Sequence, residues 1–326
     1  MEKVLPTRIT EKLIKQDKNI QIATHDGIFH GDEVFATAIL QLTFGKSMSS
    51  VIRGRLKPGE QWSDDIDIIY DVGGQYDSNR FFDHHQGDLA ARPETAIPYS
   101  SAGLIWKHFG YWTLRNLNVP EMFIERIWEE IDRDYLWGID ATDCGARELL
   151  GTTGIAHEVS LSSMISIFNS NNKFDNSTAF TQVVAIARDI LKAAIASKIT
   201  VCEAEAEVMT AINAAKDGIM YLTRPLPWQT TLFASGKDKD INLVVWHEKE
   251  NEYRIQAVPV SLEDRFNNKF PLPEEYRALD NTTDKTLGGC KIIFAHKTGF
   301  IAGVSTAFKS SAIEAAKEWL SLAMLN

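Results

Sequence analysis

The sequence of 326 residues contains no long apolar run and little cysteine. No run approaches the roughly 18 consecutive apolar residues that a membrane-spanning helix requires. Segment 1–18 mixes charges with isolated apolar residues, unlike the apolar centre of a signal peptide. The three cysteines, Cys144, Cys202 and Cys290, are too widely spaced for a disulfide framework or a CxxC zinc site. We therefore expect a soluble, cytoplasmic protein without a membrane partner.

Positive charge is also in short supply, which limits the range of partners. The 44 Asp and Glu residues outnumber the 34 Lys and Arg residues, so the formal net charge is −10. Broad binding to a nucleic acid duplex relies on many Lys and Arg contacts to phosphates, and this charge disfavours it. A short strand or a small phosphate stays compatible, because Arg53, Arg55 and Lys57 could form a local basic wall. Such a charge run is more often a solvated surface.

Two frequent catalytic signatures are missing. The triplet Gly45-Lys46-Ser47 is not a phosphate-binding P-loop, because the glycine that this loop needs five residues earlier is Leu40. Neither His157 nor His247 begins the HExxH pattern of a zinc metalloprotease helix. The sequence therefore predicts neither a P-loop nucleotide hydrolase nor a zincin.

Histidine and aspartate are instead concentrated in the first quarter of the chain. Three clusters, at 25–32 (HDGIFHGD), 71–74 (DVGG) and 83–86 (DHHQ), each follow a short apolar run that predicts a strand. In an open α/β sheet, ligands bind at the carboxyl ends of strands. Imidazole mixed with carboxylate suits a divalent ion such as Mn²⁺ or Zn²⁺, and more than four such ligands leave room for two ions. The sequence therefore predicts a two-metal catalytic site.

The order of the elements predicts an α/β fold with a mostly parallel, doubly wound sheet, because strand-like and helical segments alternate. The predicted strands of this part are 19–23, 51–53, 66–70 and 80–82, and the predicted helices are 32–44, 100–114 and 120–136. A polar, breaker-rich loop at 169–177 then precedes about forty residues of helical spacing, 178–217, which we interpret as a connecting helix with at most one break.

A second, smaller α/β domain is predicted after this helix. Its strands are predicted at 219–222, 241–246, 253–260 and 291–295, and its closing helix at 311–325. We place the boundary so that residues 1–176 form the metal-binding catalytic domain. Residues 177–326 then form the connecting helix and a substrate-binding C-terminal domain.

Several of these segments carry a family resemblance. Asp83-His84-His85, together with the upstream His-rich cluster and the Asp71-Val72-Gly73-Gly74 turn, resembles the DHH phosphoesterase superfamily. More narrowly, the chain resembles the melanocyte-proliferating-gene family of metal-dependent hydrolases. The matching segments follow one another along nearly the whole chain and include 24–33 (THDGIFHGDE), 82–86 (FDHHQ), 139–145 (IDATDCG), 253–260 (YRIQAVPV), 272–279 (LPEEYRAL) and 296–303 (HKTGFIAG).

The resemblance implies a role for each matching residue. His25 and Asp32 match the first and last members of the first motif, and His30 stands where the superfamily has its middle aspartate. Asp71 matches the carboxylate that bridges two ions, His84 a metal ligand, and His85 the neighbour that contacts phosphate. Two residues, Asp140 and Asp143, are alternatives for one further carboxylate. The predicted metal ligands are thus His25, His30, Asp32, Asp71, His84 and Asp140 or Asp143, and the predicted catalytic residues are His85, Asp71 and Asp83.

The resemblance also implies substrate contacts in the second domain. His296, Gly299 and Gly303 match the substrate-side motif of the family, and Arg254 and Lys297 are candidate phosphate contacts.

The implied activity is hydrolysis of short single-stranded RNA, one nucleotide at a time from the 3′ end, with two divalent ions. Mn²⁺ is the favoured ion, and Mg²⁺ and Zn²⁺ are alternatives. Two other functions stay open: a hydrolase of small phosphorylated metabolites or cyclic dinucleotides, and a metal-stabilised binding module. Against the module, a structural site is usually closed by four ligands, whereas this sequence offers more. A homo-oligomer is compatible with the sequence.

Overall fold

The computed structural model describes residues 13, 19–57, 60–87, 91–93, 95–150, 159–169 and 176–325. The chain divides into two compact units, Met1–Ile199 and Thr200–Asn326. Across the described ranges, no helix combines the length and the apolarity that crossing a membrane would require.

The first unit contains a four-stranded parallel sheet in the order β2-β1-β3-β4. Its strands are β1 (Ile22–Thr24), β2 (Ile52–Arg53), β3 (Ile68–Tyr70) and β4 (Phe81–Phe82). The two central strands, β1 and β3, are buried along their whole length, as expected for a parallel sheet covered on both faces. Because the strands run in one direction, their carboxyl ends share one edge, and each predicted His or Asp cluster begins there. The predicted parallel α/β fold is confirmed.

Five helices accompany this sheet in the described part of the unit. They are α1 (Gly31–Phe44), α2 (Ser101–Asn116), α3 (Glu121–Ile131), α4 (Trp137–Asp143) and α5 (Leu161–Ser166). Helix α1 is buried on nearly all sides because its side chains are mostly apolar and it packs along α2. The helix predicted at 120–136 continues to residue 143 through a wider π-helical turn, Asp132–Leu136, which joins α3 to α4.

The long helix predicted at 178–217 is present as α6 (Ser177–Asn213), which is 37 residues long and continuous. Of the polar loop predicted before it, residues 170–175 lie outside the described residues. The division between the two units falls within α6.

The second unit contains a six-stranded mixed sheet in the order β5-β6-β7-β10-β9-β8. The strands are β5 (Ile219–Leu222), β6 (Leu243–Lys249), β7 (Glu252–Ala257), β8 (Thr286–Leu287), β9 (Cys290–Ala295) and β10 (Ile301–Ser305). Only β5 and β6 pair in parallel; the other pairs are antiparallel. One face of the sheet packs with Trp319 of α8 (Lys309–Met324), and the other packs with Val208 of α6 and Leu232 of α7 (Gln229–Ala234).

Three elements of this unit, β8, β10 and α7, are absent from the sequence prediction. Strand β10 was not predicted, because its first residues belong to the segment HKTGFIAG, where two glycines suggest a loop. In the structure β10 lies between β7 and β9, and its Gly303 is the direct partner of Arg254. The short helix α7 was not predicted either.

Candidate metal centre

Three loops bring the predicted ligands of the first unit together at the carboxyl edge of the parallel sheet. His25 follows β1, Asp71 follows β3, and the Asp83-His84-His85 segment follows β4. All of these side chains except His85 are buried. The sheet topology therefore places side chains that are far apart in the sequence in one cluster.

Asp71 lies at the centre of this cluster. Its Oδ2 is 3.1 Å from His25 Nε2, and its Oδ1 is 3.2 Å from His84 Nε2. The residue has a φ of +56°, a left-handed conformation that aspartate tolerates better than most residues. Because the two carboxylate oxygens face different imidazoles, Asp71 has the geometry of a ligand shared by two neighbouring ions.

Asp32 is the strongest indication that a cation belongs here. It lies in the first turn of α1 with a relative exposure of 0%, and neither of its carboxylate oxygens has a hydrogen-bond partner among the described residues. Burial raises the pKa of Asp32 well above its usual range, and the nearby carboxylates of Asp71 and Asp143 raise it further. A buried charge normally has a partner. A divalent ion would supply one, so the residues present fit a metal.

His84 connects Asp71 to the last carboxylate of the cluster. Its Nε2 is 3.2 Å from Asp143 Oδ2 and 3.6 Å from Asp32 Oδ2. Burial opposes a charge on the ring, but hydrogen bonds to Asp143 and Asp71 raise the pKa of His84 far above its ordinary value. On the other side of the ring, Nδ1 is 3.6 Å from Cys144 Sγ. Nδ1 is thus held by a neighbour, as is usual for a metal-binding histidine.

Glu33 joins the cluster beside His25, although sequence reasoning did not select it. Its Oε1 is 3.0 Å from His25 Nε2, and its carboxylate accepts hydrogen bonds of 2.8 and 2.9 Å from the His30 backbone N–H. Burial opposes a charge on His25, but Asp71 and Glu33 raise its pKa to about 10. The signal in the sequence was the position of Glu33, three residues after the first residue of a capping box. That position explains its orientation toward the cluster.

His85 differs from the other members because it is exposed to solvent, with 61% of its side chain accessible. Its Nδ1 lies 2.6 Å from Asp83 Oδ1. The Asp83 carboxylate also accepts hydrogen bonds from the Gly74 and His84 backbone N–H groups, at 2.6 and 2.7 Å. Asp83 is therefore placed to orient His85, and the other ring nitrogen of His85, Nε2, is the one available to a substrate.

The two candidates for the last carboxylate have different surroundings. Asp143 is close to His84, and its side chain can share a metal with His30 and Asp32. Asp140, one turn earlier in α4, instead lies 2.7 Å from Arg92 Nη2. It also accepts hydrogen bonds from Ser100 Oγ at 2.5 Å and from the Gly103 N–H at 3.1 Å. Of the pair, the structure brings Asp143 into the cluster.

The two arginines of the predicted basic wall, Arg53 and Arg55, make different contacts. Arg53 donates hydrogen bonds of 3.2 Å to the carbonyl groups of His25 and Gly27, and its guanidinium lies 4.3 Å from the centre of the Phe180 ring. This residue holds the loop that carries His25. Arg55 is largely exposed and lines the cavity beside the cluster, where its Nε is 3.4 Å from Asp26 Oδ1. Arg55 is therefore the cation of this segment that can reach a ligand.

A cavity of about 610 Å³ opens beside the cluster. Its lining includes six members of the cluster and Arg55, together with a group of hydroxyl side chains from α4 and α5. These lining residues are His25, His30, Asp71, His84, His85, Asp143, Arg55, Thr142, Ser162, Ser163 and Ser166. The size is within the usual range for small-molecule sites. The cluster is thus open to a ligand on one side, unlike a closed structural metal site.

The residues predicted to bind substrate in the second unit lie around β10. The Arg254 guanidinium lies across Gly303, where a Cβ atom would be 2.5 Å from Nη1. Gly299 has a φ of +74° in the turn before β10, and a Cβ there would be 2.7 Å from the Leu272 carbonyl oxygen. His296 Nδ1 accepts a hydrogen bond from the Thr298 N–H. These contacts explain both glycines structurally, and the substrate role of the motif stays a prediction.

Comparison with known proteins defines the class of the chain. The family model MYG1_exonuc, described as an uncharacterised protein family (UPF0160), matches residues 21–320. The MYG1 protein C694.04c of Schizosaccharomyces pombe is 30% identical over 307 residues, 88% of this chain and 94% of that protein. The human MYG1 exonuclease is 27% identical over 92% of this chain and 85% of its own length. The chain therefore belongs to the MYG1 family, as the sequence resemblance implied.

Solved structures give a weaker similarity. RecJ from Thermus thermophilus, crystallised in complex with Mg²⁺, is 14% identical, with a TM-score of 0.24 over 97% of this chain and 51% of RecJ. The chain thus spans about half the length of that protein. CDC45 from Entamoeba histolytica is 9% identical, with a TM-score of 0.26 over 97% of both chains.

Proposed function

We propose that this chain is a two-metal phosphoesterase that removes nucleotides from the 3′ end of short single-stranded RNA. The observation that carries the metal requirement is the Asp32 carboxylate, which is fully buried among other carboxylates and, within the described residues, has no hydrogen-bond partner. Relatives named MYG1 exonuclease in rat, human, mouse and cattle support the exonuclease activity.

The two oxygens of Asp71 divide the cluster into two halves, each of which would hold one ion. His25 and Glu33 lie on the Oδ2 side, and His84 and Asp143 lie on the Oδ1 side. His30 and Asp32 are close enough to contribute to either half. Both halves combine imidazole nitrogen with carboxylate oxygen, a donor set that suits Mn²⁺ and also accepts Zn²⁺. Mn²⁺ is the ion proposed here.

Bound divalent ions lower the pKa of water and draw negative charge from phosphoryl oxygens. The residues of the chain supply the other contributions. Asp71 keeps the two halves of the cluster together, since each oxygen faces a different histidine. Asp83 fixes the ring of His85 at the surface of the cavity, where this imidazole would contact a phosphoryl oxygen. A prepositioned contact of this kind stabilises charge that develops during reaction.

Two features favour the end of a single strand as substrate. The net charge of −10 disfavours extensive binding to a duplex. The cavity volume suits a few nucleotides at most. In the second unit, Arg254, His296, Lys297, Gly299 and Gly303 are the proposed substrate contacts.

The decisive experiment is Mn²⁺-dependent hydrolysis of an RNA oligonucleotide labelled at its 5′ end. Stepwise shortening to a ladder of 5′-labelled products is expected, with no activity in EDTA. The same oligonucleotide labelled at its 3′ end should release labelled mononucleotide at once. Dinucleotides, a cyclic dinucleotide and pyrophosphate are assayed in parallel. Hydrolysis of these small compounds without shortening of RNA would overturn the proposed substrate, and hydrolysis of none of them would overturn the activity.

A metal measurement tests the stoichiometry independently of turnover. After loading with Mn²⁺ and removal of free ion, elemental analysis should find about two ions per chain, because the ligands exceed those that one tetrahedral ion needs. One ion per chain would overturn the two-metal assignment. The absence of bound metal would contradict the site as a whole.

A further inference from the structure

Hydroxyl side chains form one side of the cavity next to the metal centre. Thr142 belongs to α4, and Ser162, Ser163 and Ser166 belong to α5. The other lining residues are mostly charged or imidazole groups. The cavity therefore presents two different chemistries to a bound ligand.

Three of these four hydroxyl groups already donate hydrogen bonds within the protein. Thr142 Oγ1 donates to the Gly138 carbonyl at 2.7 Å, Ser163 Oγ to the Ser160 carbonyl at 2.7 Å, and Ser166 Oγ to the Ser163 carbonyl at 2.8 Å. Within the described ranges, the Ser162 hydroxyl makes no hydrogen bond. Ser162 is thus the hydroxyl in this wall whose donor is available to a ligand.

The position of Ser162 is set by close packing against the start of α1. Its Oγ approaches Gly31, where an added Cβ atom would lie only 2.6 Å away. Gly31 precedes Asp32 in the chain, so the Ser162 hydroxyl lies beside the turn that carries the buried carboxylate. The absence of a side chain at Gly31 is what allows this approach. The hydroxyl is therefore held near the metal centre.

We propose that Ser162 recognises the ribose 2′-hydroxyl of the nucleotide that occupies this cavity, and so favours RNA over DNA. The inference rests on the proposed phosphoesterase function and names the feature of the substrate that this site reads. A serine hydroxyl donates one hydrogen bond and accepts others, and a 2′-hydroxyl does the same, so the two groups are complementary.

A phosphate oxygen is the other group that a serine hydroxyl could contact. Phosphate already has charged partners in this cavity, namely Arg55, His85 and the ions that the cluster would hold. A neutral hydroxyl adds little to that set. The sugar, by contrast, meets no other uncommitted donor on the hydroxyl side, as far as the described residues extend. The 2′-hydroxyl is thus the better match for Ser162. A DNA substrate distinguishes a contact to the 2′-hydroxyl from a contact to phosphate, because DNA has the phosphate and lacks the 2′-hydroxyl.

The test compares Ser162→Ala with Ser166→Ala on RNA and DNA oligonucleotides of identical sequence, with Mn²⁺ present. Loss of one neutral hydrogen bond should lower kcat/KM of Ser162→Ala on RNA by about three- to tenfold. Its kcat/KM on DNA should not change. Ser166→Ala is the matched control, because its hydroxyl is used inside α5, and it should keep the wild-type ratio of RNA to DNA hydrolysis.

A second arm leaves the protein unchanged and alters the substrate. Wild-type enzyme is assayed on RNA with a single 2′-deoxy residue at the last or at the penultimate position. At one of these positions the 2′-deoxy substitution should lower kcat/KM by the same factor as Ser162→Ala does. When the deoxy substrate is combined with Ser162→Ala, kcat/KM should not decrease further, as expected for two groups that interact directly.

If Ser162→Ala lowered kcat/KM by the same factor on RNA and on DNA, Ser162 would contact phosphate, and the proposal would be overturned. Insensitivity of the wild type to both 2′-deoxy substitutions would also overturn it, whether or not the variant folds. If the wild type hydrolyses neither RNA nor DNA, the proposed function itself fails, and the inference falls with it.

Discussion

Two groups of buried carboxylates in the first unit are compensated in opposite ways. Asp140 and Asp32 both have a relative exposure of 0%. Asp140 faces the buried guanidinium of Arg92, which also binds Asp132 through contacts of 2.6 and 2.8 Å. Asp32 faces Asp71 and other acids, and its oxygens accept no hydrogen bond among the described residues. The cation of the first group is a guanidinium. The cations available to the second group are the imidazoles of His25 and His84, which a bound metal ion would replace in that role.

The pKa shifts of Asp140 and Asp32 have causes that reflect the same difference in surroundings. Burial raises the pKa of Asp140 to about 7, and Arg92 limits that rise. At Asp32, burial also raises the pKa, the surrounding acids raise it further, and His84 opposes the rise. Two aspartates that are equally buried can therefore serve structure or metal binding, and the kind of cation beside each of them distinguishes the two.

The largest expected effect comes from removing the internal cation. Arg92→Met should lower the free energy of unfolding by about 3–5 kcal/mol, because it leaves the two buried carboxylates of Asp132 and Asp140 without the guanidinium that neutralises them. Urea unfolding measures this. Arg224→Met is the control: Arg224 pairs with Glu207 on the surface at 2.9 Å, and its loss should cost at most about 1 kcal/mol. A loss below about 1 kcal/mol for Arg92→Met would mean that Arg92 does not neutralise this group.

Removing the central carboxylate of the metal centre should affect activity rather than folding. Asp71→Asn should reduce hydrolysis at least about a hundredfold, since each ion would lose a ligand. The fold should persist, because asparagine tolerates the left-handed φ of this position. Activity per folded molecule, with circular dichroism as the folding check, measures this. Asp64 is exposed, and Asp64→Asn, as the control, should behave as wild type. If Asp71→Asn kept more than a tenth of wild-type activity, Asp71 would not be the shared ligand.

The sequence predicted well which side chains lie together where a candidate ligand directly follows a strand. His25, Asp71 and His84 are examples, because strand order in a parallel sheet determines which loops meet. The choice between Asp140 and Asp143 could not be made in this way, since both lie on consecutive turns of α4. It depends on Arg92, which comes from a loop about fifty residues earlier and carries no local signal of its partner.

Other differences have similar causes. Glu33 was not selected because a glutamate in the first turn of a helix is explained by the helix dipole alone. Strand β10 was not predicted because Gly303 has no side chain to show the alternation of a strand. Its glycine is required by the Arg254 side chain on the neighbouring strand, a contact that only the tertiary structure brings about.

A histidine outside both groups sharpens the comparison. His25 and His84 are surrounded by carboxylates, whereas His108 packs against Phe82 and contacts the Tyr76 hydroxyl at 2.8 Å. Burial lowers the pKa of His108 to about 4. The unfolded chain therefore binds the proton more readily, and this group destabilises the fold as the pH decreases from about 6.5 toward 4.

From pH 7 to pH 5, His108 should thus account for about 2 kcal/mol of lost stability. The difference between wild type and His108→Gln in urea unfolding at the two pH values measures this contribution. The variant should lose less stability than the wild type over this interval. An equal loss in both proteins would mean that His108 is accessible to protons in the folded state.

The smallest expected effect is the change in the free energy of unfolding caused by Asp32→Asn, and its sign shows whether the protein itself compensates this carboxylate. In EDTA, Asp32→Asn should raise the free energy of unfolding by about 1–2 kcal/mol, because it removes a buried carboxylate whose oxygens accept no hydrogen bond from the described residues. With Mn²⁺ the order should reverse, since the wild type gains stability from binding and the variant lacks a ligand. Thermal unfolding with and without Mn²⁺ measures the stability difference between variant and wild type under each condition. Asp64→Asn is the control and should be unaffected. If Asp32→Asn were destabilising in EDTA, the protein itself would compensate Asp32, and the contrast with Asp140 would disappear.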